Sequence, residues 1–208
     1  FVMQLRNYQD RALNALENNI CGQVIVPTGG GKTFIMIKDL MRRFAESTEP
    51  MVAVVCAPRI LLAKQLSSEF LEFITDAEVM HVHSGETHHF RTTKPSEIVL
   101  HNLMCKNVGA HQLIFATYHS LRRIVECEQK IDVAYFDEAH NATKRNFFAS
   151  VSSLDVSNYY YFTATPKHTR SFSGTGMNNS VVFGKIIETV PAPELVQNGS
   201  ILAPTVVA

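Results

Sequence analysis

The sequence contains few of the residues that define small or metal-stabilised domains. Only four of its 208 residues are cysteines, and these are Cys21, Cys56, Cys105 and Cys127. They form no CxxC pair and no spacing typical of metal ligands, so neither a disulfide framework nor a zinc finger is indicated. Three of them lie in or beside apolar stretches, which favours buried free thiols.

Long apolar runs are also lacking. No stretch approaches the roughly 18 apolar residues that a membrane helix requires, and no signal-peptide pattern opens the chain. We therefore expect no membrane partner and a cytoplasmic location, with the nucleus or a viral host compartment left open. The chain opens on Phe1 and closes on an apolar segment (201–208), so both ends are interpreted as cut from something larger.

Charge of one sign is not in excess. The 19 Lys and Arg residues equal the 19 Asp and Glu residues, so the formal net charge is zero. A neutral protein gains little from bulk attraction to nucleic acid, and any such contact must come from local groups. The length allows one generous domain or at most two small ones.

What the sequence does contain is an alternation of helical and strand patterns. Apolar residues at helical spacing predict helices over residues 8–18, 33–44, 60–74 and 120–128. Short apolar runs predict strands over residues 23–26, 52–56, 79–82, 112–116, 133–136 and 159–162. Strands of this kind, separated by helices, predict an α/β fold with a mostly parallel central sheet and helices on both faces. Two polar segments are predicted as a surface loop (87–96) and a flexible excursion (171–180).

A glycine-rich segment follows the first predicted strand and opens a predicted helix. Residues 26–33 read VPTGGGKT. In a phosphate-binding loop (Walker A), glycines let backbone N–H groups point at an anion, and the helix N-terminus adds partial positive charge. Lys32 would reach the β- and γ-phosphates, and Thr33 would bind Mg²⁺. Val26 occupies the first glycine position of the strict pattern, but a plain glycine-rich turn is the weaker interpretation in this context.

An acidic pair closes another predicted strand, within the letters FDEAH (136–140). Asp137 can hold Mg²⁺ through water, and Glu138 can position and polarise an attacking water. Taken alone, the pair could equally be a helix N-cap with favourable first-turn charge. The phosphate loop upstream favours the catalytic interpretation.

Together these motifs resemble those of superfamily 2 helicases of the DEAH-lettered kind. Six segments occur in the family's order: LRNYQ (5–9), PTGGGKT (27–33), APRILLAKQ (57–65), ATYHSL (116–121), DEAH (137–140) and TATP (163–166). The later segments VFGK (182–185), ELVQNG (194–199) and LAP (202–204) are similar to the end of the first motor domain in one subgroup. That subgroup comprises type III restriction subunits, phage recombination helicases and excision-repair translocases.

The resemblance implies a RecA-like domain that binds ATP and Mg²⁺. It implies catalytic roles for Lys32, Asp137 and Glu138, and Mg²⁺ binding by Thr33 and Asp137. The nucleotide-binding set that it implies is Arg6, Gln9, Thr28, Gly29, Gly30, Gly31, Lys32 and Thr33, with Gln9 reading the adenine edge.

The resemblance also implies a nucleic-acid contact and a route that couples it to ATP. The implied nucleic-acid residues are Arg59, Ser84, Gly85 and Thr117, since arginine and hydroxyl groups are frequent phosphate ligands. His140, Thr163 and Thr165 would link nucleotide state to nucleic-acid grip. A helix-capping arginine, a strand-end threonine and a satisfied interfacial histidine remain open alternatives for Arg59, Thr117 and His140.

These expectations define a domain plan and a function. Residues 1–190 would form the ATP-binding motor domain, and residues 191–208 a short helix and the start of a linker. A second RecA-like domain with arginine fingers would follow Ala208. The implied function is that of a nucleic-acid-dependent ATPase, helicase or translocase, with DNA favoured over RNA. A nucleotide-gated clamp and a P-loop kinase are the alternatives.

Two local clusters have competing interpretations. His81 and His83 would share one face of a strand, and with His88 and His89 they invite a zinc hypothesis. No cysteine is nearby, so a solvated, histidine-rich loop is the favoured prediction. The basic pairs 42–43, 122–123 and 144–145 are predicted to be solvated helix faces.

Overall fold

The computed structural model describes residues 7–28, 31–170 and 174–191. Its strands are β1 (Cys21–Ile25), β2 (Val52–Ala57), β3 (Ala77–Val82), β4 (Phe90–Arg91), β5 (His111–Thr117), β6 (Ile131–Phe136), β7 (Val156–Thr163) and β8 (Ile186–Thr189). They form one sheet in the order β4-β3-β5-β2-β6-β7-β1-β8, and every pairing is parallel. The predicted α/β fold with a mostly parallel sheet is confirmed.

Helices connect the strands. They are α1 (Asn7–Asn18), α2 (Lys32–Glu46), α3 (Ile60–Leu71), α4 (Pro95–Val108), α5 (Leu121–Glu126), α6 (Arg145–Ser153) and α7 (Ser180–Phe183). Two 3-10 helices span Tyr118–Ser120 and Ala139–Thr143. The four helices and six strands predicted from the sequence are all present, with ends that differ by a few residues. Helices α4, α6 and α7 and strands β4 and β8 were not predicted from the sequence.

The two faces of the sheet bury separate apolar cores. Along β2, Ala53 and Val55 point into a core shared with α1, α2 and α3. Val54 and Cys56 point into the opposite core, to which α4, α5, α6 and α7 contribute. Both faces are therefore covered by helices, as predicted. Full burial of a large aliphatic side chain contributes about 1.5–3 kcal/mol, so both cores stabilise the sheet that positions the site.

Helix α4 begins inside the segment that was predicted as a polar loop. Residues 87–96 contain β4 and the start of α4, which continues to Val108. The helix buries Ile98 and Cys105, whereas Leu100 and Leu103 on its other side are exposed. Because apolar residues occupy both sides, the helical periodicity is blurred. This is why the pattern failed to indicate a helix.

The glycine-rich segment near residue 175 is more ordered in its described part than predicted. Residues 171–173 lie outside the described residues. In the rest, the backbone N–H of Gly176 donates to Oγ1 of Thr169 at 2.9 Å, and Asn179 Nδ2 donates to the carbonyl of Gly174 at 2.7 Å. Met177 is buried. The prediction of a flexible excursion was wrong for residues 174–180, because amide side chains satisfy the turn backbone.

One basic pair that was predicted to be solvated is engaged in a buried network. Arg43 Nε donates to Oδ2 of Asp39 at 2.7 Å, and Arg42 donates to Oδ1 of the same carboxylate at 2.9 Å. Tyr135 donates its hydroxyl to Asp39 at 2.5 Å, and Arg43 reaches the hydroxyl of Tyr160 at 2.7 Å. The network ties α2 to β6 and β7. The prediction of a solvated face was wrong for Arg43, since the sequence does not reveal the buried acid that it pairs with.

The remaining expectations from composition concern thiols and membranes. All four cysteines are free, with Cys56 and Cys105 buried and Cys21 and Cys127 partly buried. Among the described residues, no helix is long and apolar enough to cross a membrane.

Candidate nucleotide and nucleic-acid site

The predicted site residues gather at one edge of the sheet. In a parallel sheet, the loops that follow the carboxyl ends of the strands meet at the same edge. Lys32 begins α2 beyond β1, Asp137 follows β6, and Thr163 ends β7. Strands β6, β7 and β1 are consecutive neighbours. The fold thus brings together residues that are more than a hundred positions apart in the chain.

Lys32 forms the centre of the site through contacts with two carboxylates. Its Nζ lies 3.0 Å from Oδ1 of Asp137 and donates a hydrogen bond to Oε1 of Glu138. Asp137 is held from below, because its N–H donates to the carbonyl of Cys56 at 2.8 Å and its own carbonyl accepts from the Tyr118 hydroxyl at 2.8 Å. The ammonium thus sits where both acidic groups point.

Burial and charge shift the protonation of this pair. Burial lowers the pKa of Lys32, but the charges of Asp137 and Glu138 outweigh it, so the net pKa is raised and the ammonium stays charged. Burial raises the pKa of Asp137, and the attraction of Lys32 offsets only part of that rise. The two directions are compatible, because Asp137 is more deeply buried than the ammonium. The site therefore holds a carboxylate that is incompletely stabilised.

The donor set around Asp137 suits a hard cation. Its Oδ1 is buried and, among the described residues, accepts no well-directed hydrogen bond, although Nζ of Lys32 lies 3.0 Å away. Such an oxygen has a free lone pair, and oxygen ligands are what Mg²⁺ prefers. Thr33 lies in the first turn of α2, one residue beyond Lys32. These residues fit the predicted magnesium site and would hold the ion next to bound phosphates.

A third acidic side chain, Glu69, approaches the site from α3 and was not predicted from the sequence. Burial raises the pKa of Glu69, the charges of Glu72 and Asp137 add to the rise, and a hydrogen bond with Thr33 opposes it. No motif marks Glu69, since its position results from the packing of α3 beside α2. The Thr33 hydroxyl therefore has an acidic neighbour.

The start of α2 depends on a glycine and on the predicted adenine reader. Gly31 adopts a left-handed conformation (φ 72°) and precedes the first residue of the helix. Nε2 of Gln9 donates to the Gly31 carbonyl at 3.4 Å, and a Cβ at Gly31 would lie 2.5 Å from that nitrogen. Gln9 is buried against the loop. Of the other predicted loop residues, Thr28 is exposed, whereas Arg6, Gly29 and Gly30 lie outside the described residues.

The predicted coupling residues are connected by hydrogen bonds. His140 Nδ1 lies 3.7 Å from Oε2 of Glu138 and 3.0 Å from Oγ1 of Thr163. The N–H of Thr165 donates to Oγ1 of Thr163 at 3.2 Å. Thr163 is fully buried, whereas Thr165 is exposed. A continuous polar path thus runs from the carboxylate beside Lys32 to the protein surface.

Arg59 lies close to this path. It precedes α3 and lines an open cleft of about 440 Å³ together with Glu138, His140 and Lys144. The side chain of Arg59 makes no hydrogen bond that would cap α3. Its guanidinium is exposed, which agrees better with a ligand role than with the helix-capping alternative.

The other predicted nucleic-acid residues divide into two groups. Ser84 and Gly85 lie beside Arg59, because Gly85 packs so tightly against Ile60 that a side chain there would collide with it. Thr117 is buried, donates its hydroxyl to Ser120 Oγ at 3.1 Å and accepts from the Ser120 N–H at 3.3 Å. Its hydroxyl is therefore occupied as the N-cap of a 3-10 helix. In this arrangement the Thr117 hydroxyl is engaged within the protein, and its role as a phosphate ligand stays a prediction.

The histidine-rich segment is not a solvated loop throughout. His81 and His83 are buried, and Nδ1 of His81 lies 3.0 Å from Nε2 of His83. The Gly85 N–H donates to Nδ1 of His83, and Nε2 of His81 lies 3.1 Å from Oγ of Ser67. The prediction was wrong for this pair, because α3 covers that end of β3. His88 and His89 are exposed, as predicted.

The Gly85 N–H is the first donor in this series of hydrogen bonds, and it determines the direction of the others. Nδ1 of His83 must accept, so Nε2 of His83 carries the proton and donates to His81, which in turn donates to Ser67. Both rings are then neutral. Burial lowers the pKa of His81 to about 4, with the charges of His83, His89 and Lys64 adding to the effect. Among the described residues, no group of three or more histidine, cysteine or acidic side chains could hold a metal ion.

Comparisons with known proteins identify the family and the fold. The family model described as "Type III restriction enzyme, res subunit" matches residues 2–168. The comparison with curated protein sequences finds no match. Among solved structures, the chain is similar to a nuclease-deletion mutant of the type ISP restriction-modification enzyme LlaGI in complex with a DNA substrate mimic. The TM-score is 0.80 at 22% identity, over 95% of this chain and 21% of that chain.

Two helicase structures are also similar. The UvsW helicase from bacteriophage T4 matches with a TM-score of 0.64 at 17% identity, over 89% of this chain and 60% of that chain. The helicase domain of Pyrococcus furiosus Hef matches with a TM-score of 0.67 at 19% identity, over 93% of this chain and 40% of that chain. The chain thus spans only part of each protein. Its fold is that of the first RecA-like domain of superfamily 2 helicases, and the chain belongs to the family of type III restriction enzyme res subunits.

Proposed function

We propose that this domain binds ATP with Mg²⁺ and, joined to a second RecA-like domain, drives a DNA-dependent motor. The observation that carries the proposal is the polar path from Lys32 through Glu138 and His140 to Thr163 and Thr165. Phosphate binding would displace the Lys32 ammonium from Glu138, since Lys32 is the cation that the loop offers to the phosphates. Glu138 would then be free to orient the attacking water.

The same displacement gives a physical basis for coupling. When Glu138 loses Lys32, its carboxylate can turn toward His140, which already lies 3.7 Å away. His140 contacts Thr163, and Thr163 holds the backbone of Thr165 at the surface. Arg59 lines the cleft beside Glu138 and His140, so a nucleic acid bound there would sense the same change. DNA is favoured as the nucleic acid because the LlaGI structure contains a DNA substrate mimic.

Residues 1–190 would form the motor domain in this proposal, and residues 191–208 would lead toward the second domain. Within the described residues, the ion pairs of Asp137 and Glu138 involve Lys32 and His140 but no arginine. An arginine finger is worth about 10³–10⁵ in rate, which corresponds to roughly 4–7 kcal/mol. The domain alone should therefore bind ATP but hydrolyse it poorly.

The experiment compares phosphate release by residues 1–208 with release by a longer protein that carries the proposed second RecA-like domain, each with and without DNA. We expect stimulation by DNA only in the longer protein, and its loss in the variant Glu138→Gln. Turnover by residues 1–208 within a few-fold of the longer protein would contradict the two-domain mechanism. Transfer of phosphate to a small-molecule acceptor would instead indicate a P-loop kinase.

A clamp that moves nothing is the second candidate, and the path to Thr165 suits it equally. Triplex displacement separates the two, because only a translocating motor removes a third strand at the cost of ATP. DNA-stimulated hydrolysis without displacement would favour the clamp.

A further inference from the structure

A second cleft lies beside the Ser84–Gly85 turn. It has a volume of about 570 Å³ and opens between α3 and the segment that contains β4. The side chains that matter for its chemistry are Lys64, Ser68, Glu86, His88, His89 and Arg91. We call it the α3–β4 cleft. Lys64 belongs to the segment APRILLAKQ (57–65) and the histidines to the cluster discussed above, whereas Ser68 and Arg91 belong to no motif singled out from the sequence.

The α3–β4 cleft concentrates positive charge in a chain that is neutral overall. Lys64 and Arg91 are both exposed, and neither forms an ion pair with another residue of the described part of the chain. Glu86 is the one acidic group among the residues that line the cleft. Burial lowers the pKa of His83, and the charges of Lys64 and Arg91 lower it further, as expected beneath a positive surface. An anion in the cleft would meet two unpaired cations.

The position of Arg91 links the cleft to the predicted nucleic-acid turn. Its NH1 donates to the carbonyl of Ser84 at 2.6 Å and lies 3.3 Å from that of Gly85. Both contacts use one terminal nitrogen, so the remaining N–H groups of the guanidinium stay available to a ligand. Gly85 also packs against Ile60, the residue after Arg59. Arg91 and the first residue of α3 therefore contact the same turn.

The floor of the cleft is hydrogen-bonded and uncharged. His81 lines it, and the hydrogen bonds from Gly85 through His83 and His81 to Ser67 fix the turn on one side and α3 on the other. His81 also pairs with Arg91 in the register of β3 and β4. A cationic rim above a preformed neutral floor binds an anion without first reorganising. Preorganisation of this kind reduces the entropic cost of binding.

We propose that the α3–β4 cleft binds a phosphodiester group of the nucleic-acid backbone, with Lys64 and Arg91 as its ligands. The inference rests on the proposed nucleic-acid function and extends its contact surface beyond Arg59 by one site. Lys64 contributes a point charge, whereas Arg91 has two tasks: it holds the Ser84–Gly85 turn and offers its outer N–H groups to the phosphate. Because each ligand contacts the backbone and not a base edge, the site is independent of sequence.

The test is fluorescence anisotropy of a labelled oligonucleotide, titrated with the natural protein at several salt concentrations. Variants Lys64→Ala and Arg91→Ala are compared with Lys130→Ala, which removes an exposed lysine just before β6, where the amino ends of the parallel strands lie. Each cleft variant should flatten the log–log salt slope by about 1, whereas Lys130→Ala should leave it unchanged. When the salt concentration rises from about 50 to about 200 mM, the affinity of the wild type for the oligonucleotide should fall. This fall should be about threefold larger than the fall in either cleft variant.

A fourth variant separates charge from position. Arg91→Lys keeps the charge but cannot hold both carbonyls, so it should keep the slope and lose about threefold or more in affinity. Unfolding midpoints and ATP affinity must match the wild type, which excludes a general folding defect. Wild-type slopes in Lys64→Ala and Arg91→Ala, together with a flattened slope in Arg59→Ala, would overturn the cleft assignment and leave the proposed function standing. Absence of any wild-type binding at low salt would overturn both.

A second experiment tests whether the ligand is a nucleic-acid phosphodiester or free inorganic phosphate. Inorganic phosphate is titrated calorimetrically into wild type and Lys64→Ala. We expect no binding at millimolar concentration, because a single free anion gains from only two cations. Two results together would identify a free-anion site and overturn the proposal. Inorganic phosphate would bind saturably to the wild type but not to Lys64→Ala, and Lys64→Ala would bind the oligonucleotide as the wild type does.

Discussion

Gly31 offers the sharpest test of the nucleotide site, because two separate costs meet at one atom. In Gly31→Ala, the new Cβ would hold a left-handed conformation (φ 72°), which costs about 1–2 kcal/mol for an L-residue. The same Cβ would lie 2.5 Å from Nε2 of Gln9 and displace it from the Gly31 carbonyl. Losing that hydrogen bond costs about 0.5–1.5 kcal/mol more.

The two terms sum to about 1.5–3.5 kcal/mol, and 1.4 kcal/mol corresponds to tenfold in affinity. If the loop relaxes when no nucleotide is bound, the whole cost falls on binding. ATP or ADP affinity, measured by calorimetric titration with Mg²⁺, should then fall about 10- to 300-fold. If the loop is fixed in both states, the same cost should appear instead as a lower free energy of unfolding.

The chain supplies a matched control. Gly109 ends α4 with nearly the same backbone angle (φ 71°), but a Cβ there would meet nothing within 4 Å. Gly109→Ala should cost about 1–2 kcal/mol of stability and leave nucleotide affinity unchanged. In a Gln9→Ala background, Gly31→Ala should lose its steric term, which a double-mutant cycle measures directly. Wild-type affinity and stability in Gly31→Ala would refute the reasoning.

Three further predictions concern single side chains. Lys32→Ala should abolish Mg-nucleotide binding with the fold intact; undiminished calorimetric affinity would remove Lys32 from the site. Asp137→Asn should raise the unfolding free energy by about 0.5–2 kcal/mol in urea, because the raised pKa of Asp137 means that its charged form costs stability above that pKa. His81, with its pKa lowered to about 4 from 6.5, stabilises the fold above pH 6.5 and loses this contribution as pH falls toward 4. In the wild type, the free energy of unfolding should drop by about 2 kcal/mol between about pH 7.5 and pH 5 through His81 alone. The drop should be smaller in His81→Gln. It should keep its full size in His119→Gln, which changes an exposed histidine and serves as the control.

The sequence predicted the parts of the site that contiguous residues encode. A glycine-rich loop between a strand and a helix determines where Lys32 lies, and an acidic pair after an apolar run determines where Asp137 lies. The rule that parallel strands share one carboxyl edge then brings the two together without further information. Contacts such as that between Lys32 and Asp137 could therefore be anticipated from order and pattern.

Features created by packing could not be anticipated in the same way. His81 and His83 are buried because α3 covers them, and nothing in the local letters indicates that cover. Glu69 reaches Thr33 only because α3 lies beside α2. The occupied hydroxyl of Thr117 depends on the 3-10 turn that follows it. In each case the deciding partner is remote in sequence or unmarked by a motif.

The position of β1 has a consequence for how the protein is made. Gln23 in β1 pairs with Tyr161 in β7 and with Ile186 in β8, so the strand before the phosphate loop has both its neighbours far downstream. At about 5–20 residues per second, a ribosome needs roughly 8–30 s to synthesise the segment between β1 and β8. During that interval β1 is synthesised but unpaired, and its apolar edge is open to wrong partners. The strand that leads into the phosphate loop therefore cannot complete its pairing until β7 and β8 have been synthesised.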